Sequence, residues 1–367
     1  MLLTPGPTNT SDSVKRALYC MDECPREQTF MQVLREVHHR LESYVYVEGF
    51  SPVAVLFSGS GSLAVESMLM DVLRKSNHRL LVLVNGSYGK QMRDVAVCYG
   101  ADNQVVSAEF PGAINHAQVR GILANADVPF THVGVVHHET STGRVNWLES
   151  VSDTVSDFGV ELVVDAVSSF GGIPMNFMEN RIAYLATTSC KCLHGPPGLG
   201  IVFVHPQYLE LEEEITIYGS MYMNLQSQFR AYWKTGQMRH TPPVQVVRGF
   251  LEALKEYEDE GGWYRRYAKY RELFERLHKG MKERGFVPLL DTEEQSCITV
   301  AYKFLDHPKF DWEQFHVLLL GRGFVIYPSC LPEQPEVFRL SVLGQISLWD
   351  IDLFLRAVSE VLKAMGI

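Results

Sequence analysis

Apolar side chains change their spacing several times along this chain, and each change marks an element. Phe30, Val33, Leu34, Val37 and Leu41 recur at three- and four-residue intervals, which predicts a helix over 28–42 with one apolar face. A continuous apolar run at 53–57 then stops at Ser58-Gly59-Ser60-Gly61-Ser62, after which Leu63, Val65, Met68, Leu69, Val72 and Leu73 return to helical spacing. Strand, tight turn and helix follow from that order. Further strand-length runs lie at 80–84, 132–136, 161–164, 183–187 and 200–204. They are apolar throughout rather than alternating, as expected of strands covered on both faces in a mainly parallel α/β sheet.

From about Val244 the texture changes. Two long helical patterns, 246–258 and 264–283, flank Gly261-Gly262; strands are predicted at 298–302, 324–327 and 337–341, and a closing helix at 349–365. This second part reads as a smaller α+β domain. Upstream of everything, the Pro/Gly-rich segment 4–9 predicts an extended arm. There is no internal repeat and no low-complexity segment.

Composition narrows the function. The chain has 367 residues, with 33 Lys+Arg against 43 Asp+Glu, a formal net charge of −10 that argues against nucleic-acid binding. No apolar stretch approaches the length of a membrane helix, and Pro5, Gly6 and Pro7 interrupt any secretory leader, so the expected location is the cytoplasm. Cys20, Cys24, Cys98, Cys190, Cys192, Cys297 and Cys330 are odd in number and scattered, which predicts reduced thiols and no zinc pattern. His137-His138-Glu139 offers no third ligand at useful spacing, and adjacent strand residues point to opposite faces, so no metal is expected. The basic residues at 265–284 are interleaved with Glu272, Glu275 and Glu283 and read as a solvated face.

Three features could carry chemistry. The turn at 58–62 opens a helix, where free backbone N–H groups and the helix dipole suit a phosphate. It fits neither the P-loop nor the dinucleotide spacing, and as a turn alone it is equally at home without a ligand. Asp165 closes the run 161–164 at the carboxyl end of a predicted strand, the edge where open α/β sheets bind ligands, although an Asp there also serves as an ordinary cap. Lys191 follows another strand, amid Thr187-Thr188-Ser189-Cys190 and Cys192, and partial burial would lower its pKa and make it a nucleophile for an imine. One ligand uses all three: pyridoxal phosphate, with a phosphate, a ring nitrogen that wants an anion, and an aldehyde that condenses with a lysine.

The segments that carry these features resemble the fold-type-I pyridoxal phosphate transaminases, in the group of alanine–glyoxylate, serine–pyruvate and 2-aminoethylphosphonate–pyruvate transaminases. The matching phrases are Leu3-Thr4-Pro5-Gly6-Pro7, Gly59-Ser60-Gly61-Ser62, Asn85-Gly86-Ser87-Tyr88-Gly89, Glu139-Thr140-Ser141-Thr142-Gly143, the stretch 164–175, Lys191-Cys192, the stretch 323–328 and Phe338-Arg339. Residues 168–175 and 324–328 favour the aminoethylphosphonate branch. The resemblance implies a large pyridoxal phosphate-binding domain with a mainly parallel seven-stranded sheet at 16–245. It also implies a small C-terminal α+β domain at 246–367 and an arm at 1–15 packed on the small domain.

For the site, the resemblance assigns Lys191 to the imine and Asp165 to the pyridine nitrogen, with Ser60, Gly61 and Ser62 at the phosphate. Tyr88 would stack on the ring, Thr140 or Ser141 would lie at its hydroxyl edge, and Thr241 would reach the phosphate from a neighbouring subunit, implying a homodimer. Arg339 would grip the acidic group of the substrates, 2-aminoethylphosphonate and pyruvate, in phosphonate breakdown. Cys190, before the lysine and in contact with the cofactor region, stands where relatives carry Asn or Gln; Trp147 and His240 also depart from the family pattern. A carboxylate amino donor, as in the alanine–glyoxylate and serine–pyruvate enzymes, is the alternative reading; a noncatalytic binding protein on the same fold is the second.

Overall fold

The computed structural model describes residues 1–45, 47, 50–100, 104–107, 112–211, 219–290 and 293–367. Its central feature is a seven-stranded sheet built from β1 (Val53–Ser58), β2 (Leu80–Val84), β3 (Gln104–Ser107), β4 (His132–Val136), β7 (Glu161–Asp165), β8 (Ile182–Thr188) and β9 (Leu199–Val204). The spatial order is β1-β9-β8-β7-β4-β2-β3. Strands β8, β7, β4, β2 and β3 pair in parallel, and only β9 runs against the rest. A two-stranded hairpin, β5 (His138–Glu139) with β6 (Arg144–Val145), follows β4.

Alternation along the strands divides the core into two layers. Leu81, Leu83, Val133, Val135, Leu162 and Val164 face α2 (Gln28–Ser43), α5 (His116–Ala124), α6 (Leu148–Val155) and α8 (Val244–Glu260). Leu80, Val82, Val84, Val163 and Ala186 face α3 (Gly61–Leu73), α4 (Ser87–Cys98) and α7 (Leu225–Thr235). Successive residues point to opposite faces of a pleated strand, so a run that is apolar at every position needs cover on both sides. Helix α1 (Asp12–Leu18) lies against α8, with Ser11 as its cap.

The second core is aromatic. Phe286, Tyr302, Phe315 and Phe338 pack between α9 (Gly262–Glu283), α10 (Trp312–Leu320), α11 (Leu348–Met365) and an antiparallel sheet ordered β10-β12-β11, with β10 (Thr299–Lys303), β11 (Tyr327–Pro328) and β12 (Val337–Ser341). The buried side chains of α8 join the first core and those of α9 the second, so the chain passes from one core to the other near Gly261. The helical spacing of 246–258 reported a face, not the partner that face would find.

The strand expected at 324–327 also needs correction, because β11 is only Tyr327–Pro328. Val325 is taken by the N-terminal arm: its N–H donates to the Met1 carbonyl at 2.9 Å and its carbonyl accepts from Leu3 N–H at 2.9 Å. The arm continues along the second core, with Ser341 N–H on the Leu3 carbonyl at 2.9 Å and Gln345 N–H on the Asn9 carbonyl at 2.7 Å. Among the described residues, no helix is long and apolar enough to cross a membrane.

Candidate active site

Parallel pairing brings the carboxyl ends of β4, β7 and β8 to one edge. Asp165 pairs in register with Val136 on one side and Ala186 on the other, which puts its carboxylate beside the turn that carries Lys191. That turn is tightly held: Thr188 Oγ1 donates to the Leu199 carbonyl at 2.8 Å, Gly195 N–H to the Ser189 carbonyl at 2.8 Å, and His194 N–H to the Lys191 carbonyl at 3.0 Å. A Cβ on Gly195 would lie 2.6 Å from the Phe250 ring, so the close turn needs glycine there.

Asp165 is buried, and one of its oxygens accepts from Val167 N–H at 2.9 Å. Burial pushes its pKa up to about 7; that hydrogen bond and the Lys191 charge pull the other way, while Glu139 adds to the rise. Lys191 is half-buried, and loss of solvent lowers its pKa below the usual lysine range, with Arg339 adding to the lowering. Its amine donates to the Pro5 carbonyl of the arm. Gly6, at φ +137°, has room only because it lacks a Cβ, which would overlap the lysine side chain. Cys190, also half-buried, has its sulfur 3.8 Å from Thr188 Oγ1.

The turn before α3 presses against the same place. Ser60 caps the helix, accepting from Leu63 N–H at 3.3 Å, and the first N–H groups of a helix have no partner within it. Gly61 is buried, and a Cβ on it would stand 2.8 Å from a Val167 methyl, two residues past Asp165. Ser60 and Ser62 are exposed, so an anion can reach the helix start from solvent.

A second helix start is closed by protein. The fully buried Glu139 accepts from Gly89 N–H at 3.0 Å and Tyr88 N–H at 3.3 Å at the head of α4. It also accepts from Ser141 Oγ, which in turn receives Ser87 N–H at 3.0 Å. Burial raises the Glu139 pKa and these bonds oppose the rise. Ser141 Oγ is therefore occupied, whereas Thr140 Oγ1 is buried beside the Tyr88 phenol with no bond of good geometry. Tyr88 itself is half-buried, its pKa raised by burial and pulled down by Arg339.

Arg339 sits in the middle of β12, opposite Ala301 and Tyr327. It is buried, and among the described residues its guanidinium bonds only the Pro328 carbonyl, at 3.4 Å, and has no carboxylate partner. A desolvated guanidinium so lightly engaged is able to receive an anion. Ser62, Tyr88, His138, Asp165, Val167 and Lys191 line one small cavity together. Thr241 is exposed on the loop before α8 and does not line it; its neighbour His240 stacks on Tyr222 with ring centroids 4.6 Å apart.

Two contributors escaped the sequence reading. His138 donates or accepts through Nδ1 at 3.0 Å from the Ser168 carbonyl, which can only accept, so Nδ1 carries the hydrogen and Nε2 is a bare acceptor. That Nε2 is buried without a partner at the cavity, and burial lowers the ring's pKa to about 4, helped by Lys191. Pro5 acts through a backbone carbonyl, which no side-chain pattern reveals. The donor set fits pyridoxal phosphate: an open helix start for the phosphate, a buried carboxylate for the ring nitrogen, a lysine of lowered pKa, and unpartnered polar atoms on Thr140 and His138.

Residues 47–319 match the Aminotransferase class-V family. The chain is 33% identical over 366 residues to a 2-aminoethylphosphonate–pyruvate transaminase of Phocaeicola vulgatus, covering 99% of each protein. It is 35% identical over 367 residues to one of Syntrophobacter fumaroxidans, covering 100% of this chain and 97% of that protein. Among solved structures, pyridoxamine–pyruvate aminotransferase from Mesorhizobium loti superposes with a TM-score of 0.89 at 22% identity, covering 100% of this chain and 93% of that one. Alanine–glyoxylate aminotransferase from Nostoc sp. gives 0.88 at 23% identity, over 98% and 94%.

Proposed function

The chain belongs to the class-V aminotransferases, and from that membership we propose that it transfers the amino group of 2-aminoethylphosphonate to pyruvate, giving phosphonoacetaldehyde and L-alanine, with pyridoxal phosphate as cofactor. The end-to-end similarity to relatives that bear this activity in their names carries the reading. It places the enzyme in phosphonate breakdown.

The cofactor, when bound, supplies an aldehyde that captures the donor amine and a ring that takes up the electron pair left as Cα loses its proton. The protein does the rest. Lys191, with its pKa lowered by burial, has a fraction of neutral amine at working pH; it binds the cofactor and then serves as the base that moves the Cα proton. Asp165 holds a proton on the ring nitrogen: a carboxylate that burial alone leaves protonated near neutrality ionises readily once a cation lies beside it. Ser60, Gly61 and Ser62 take the phosphate, Tyr88 covers the ring face and Thr140, rather than the occupied Ser141, meets its hydroxyl edge. Arg339 binds the phosphonate of the donor and then the carboxylate of pyruvate, since its planar fork accepts either oxyanion.

The proposal includes a homodimer in which Thr241 reaches the phosphate of the neighbouring subunit's cofactor. It also takes residues 1–15 as the arm and treats the large and small domains as meeting at the site.

The test is the visible spectrum of the purified, cofactor-loaded enzyme. Its band is expected to vanish on adding 2-aminoethylphosphonate and to return on adding pyruvate. A band that responds to L-alanine or serine while ignoring the phosphonate would retain the aminotransferase and discard the donor. Lys191→Ala is expected to lose both the band and measurable turnover; steady-state transamination by that variant would overturn the assignment of the lysine.

A further inference from the structure

A second cavity, of about 560 Å³, lies between α9 and the segment that follows β6, and it shares no lining residue with the cavity around Lys191. Its volume lies in the range of ordinary small-molecule sites, roughly 300–1,000 Å³. Tyr267, Phe274 and His278 supply one wall from a single face of α9, and Val145, Trp147 and Ile173 supply the other. Trp147 is 39% exposed there, a large aromatic surface left facing open space.

Two of its lining residues carry a buried polar atom with no hydrogen-bond partner among the described residues. His278 is buried and stacked on Phe274 with ring centroids 5.0 Å apart; its Nδ1 lies 3.2 Å from the Tyr302 hydroxyl, and its Nε2 is unbonded. Gln295 is buried and held through Nε2, which donates to the Gly143 carbonyl at 3.0 Å and the Thr299 carbonyl at 2.6 Å, leaving Oε1 unbonded. At the mouth, Arg271 and Glu275 answer each other at 3.8 Å, while Lys279 and Lys282 are exposed and form no ion pair among the described residues. With Glu293 also among the lining residues, the unmatched charge there is positive.

We propose that this cavity is a binding site for an amphipathic organic anion, with its apolar body between Trp147 and Phe274 and its carboxylate or sulfonate head at Lys279 and Lys282. The same stripe of α9 that looks like a solvated face in the sequence is the one that turns its cations to the mouth. The site is independent of the amino donor, so it stands or falls separately from the proposed transamination.

The probe is 8-anilinonaphthalene-1-sulfonate, titrated into the cofactor-loaded enzyme and followed by its fluorescence. Saturable binding at one site per chain is expected, displaced by decanoate and unaffected by 2-aminoethylphosphonate. The double variant Lys279→Glu/Lys282→Glu, both surface positions, is expected to weaken binding at least tenfold while keeping turnover. Cys297→Trp, which fills the cavity, is expected to abolish the site without touching the surface charge. Unsaturable binding, an affinity unchanged in the double variant, or displacement by the phosphonate would each overturn the proposal.

Discussion

Asp165 has opposite effects on the cofactor-free and cofactor-loaded protein. Without cofactor, its carboxyl takes up a proton near 7 in the native state and near 3.8 in the unfolded chain. The native state then binds more protons between those values, and stability falls as pH rises through that window. Asp165→Asn removes the penalty. The cofactor-free variant is expected to melt higher than the parent at pH 8 and no higher at pH 4, by scanning fluorimetry. The loaded variant is expected to lose about 10²–10⁴ in kcat, the size of a general acid–base contribution. Arg339→Lys tests the other pole of the site. A point charge replaces the planar fork, and the KM for 2-aminoethylphosphonate is expected to rise about tenfold, worth about 1.4 kcal/mol, with a smaller change in kcat. The positions of Lys191 and Asp165 were legible in the sequence, because Asp165 closes one apolar run and Lys191 follows another by a few residues, which puts both at the same sheet edge. Which of Thr140 and Ser141 keeps an unengaged hydroxyl was not legible, since it turns on the bond between Ser141 and Glu139. Nor was His138: the alternation that separates it from His137 is real, and it is that alternation which sends one of the pair to the cavity.

At the level of elements, the two helix starts facing the site are handled differently, and the difference is chemical. The head of α3 is left open to an anion, whereas the head of α4 is neutralised by the Glu139 carboxylate. The second arrangement depends on Gly86, where a Cβ would overlap that carboxylate although the backbone itself is ordinary extended chain. Gly86→Ala is expected to cost about 1–3 kcal/mol, as overpacking does. Because Glu139 also positions Tyr88 N–H, cofactor affinity is expected to fall along with the denaturation midpoint. A variant that loses stability with unchanged affinity for pyridoxal phosphate would separate the two roles. Periodicity located the long strands and helices to within a residue or two. It missed β3, the β5–β6 hairpin, whose two-residue strands are too short to display a period, and the helices α1, α4, α5, α6, α7 and α10, and it overextended β11, where Val325 pairs with the arm instead.

For the molecule as a whole, acid is the condition to which this fold is most exposed. His38, His132 and His137 are buried with pKa values lowered to about 3, His138 to about 4, and His194 well below its ordinary value, in each case chiefly by burial. The unfolded chain protonates all five near 6.5 and the native protein does not, so their contribution is complete above that pH and is lost as pH falls toward 4. Each contributes up to about 1.4 kcal/mol per pH unit in that window. The melting temperature is expected to drop steeply between pH 6.5 and 4.5, and replacing His132 with Gln should flatten the slope by about one proton. A slope unchanged in that variant would assign the acid loss to other groups. The arm has a consequence of a different kind. Met1 to Asn9 complete the surroundings of Lys191 by pairing with residues 325 to 345, more than 300 positions later. On the ribosome the arm emerges more than 300 residues ahead of those partners, so the lysine lacks its full set of neighbours until they follow, and cofactor capture in final form waits for them.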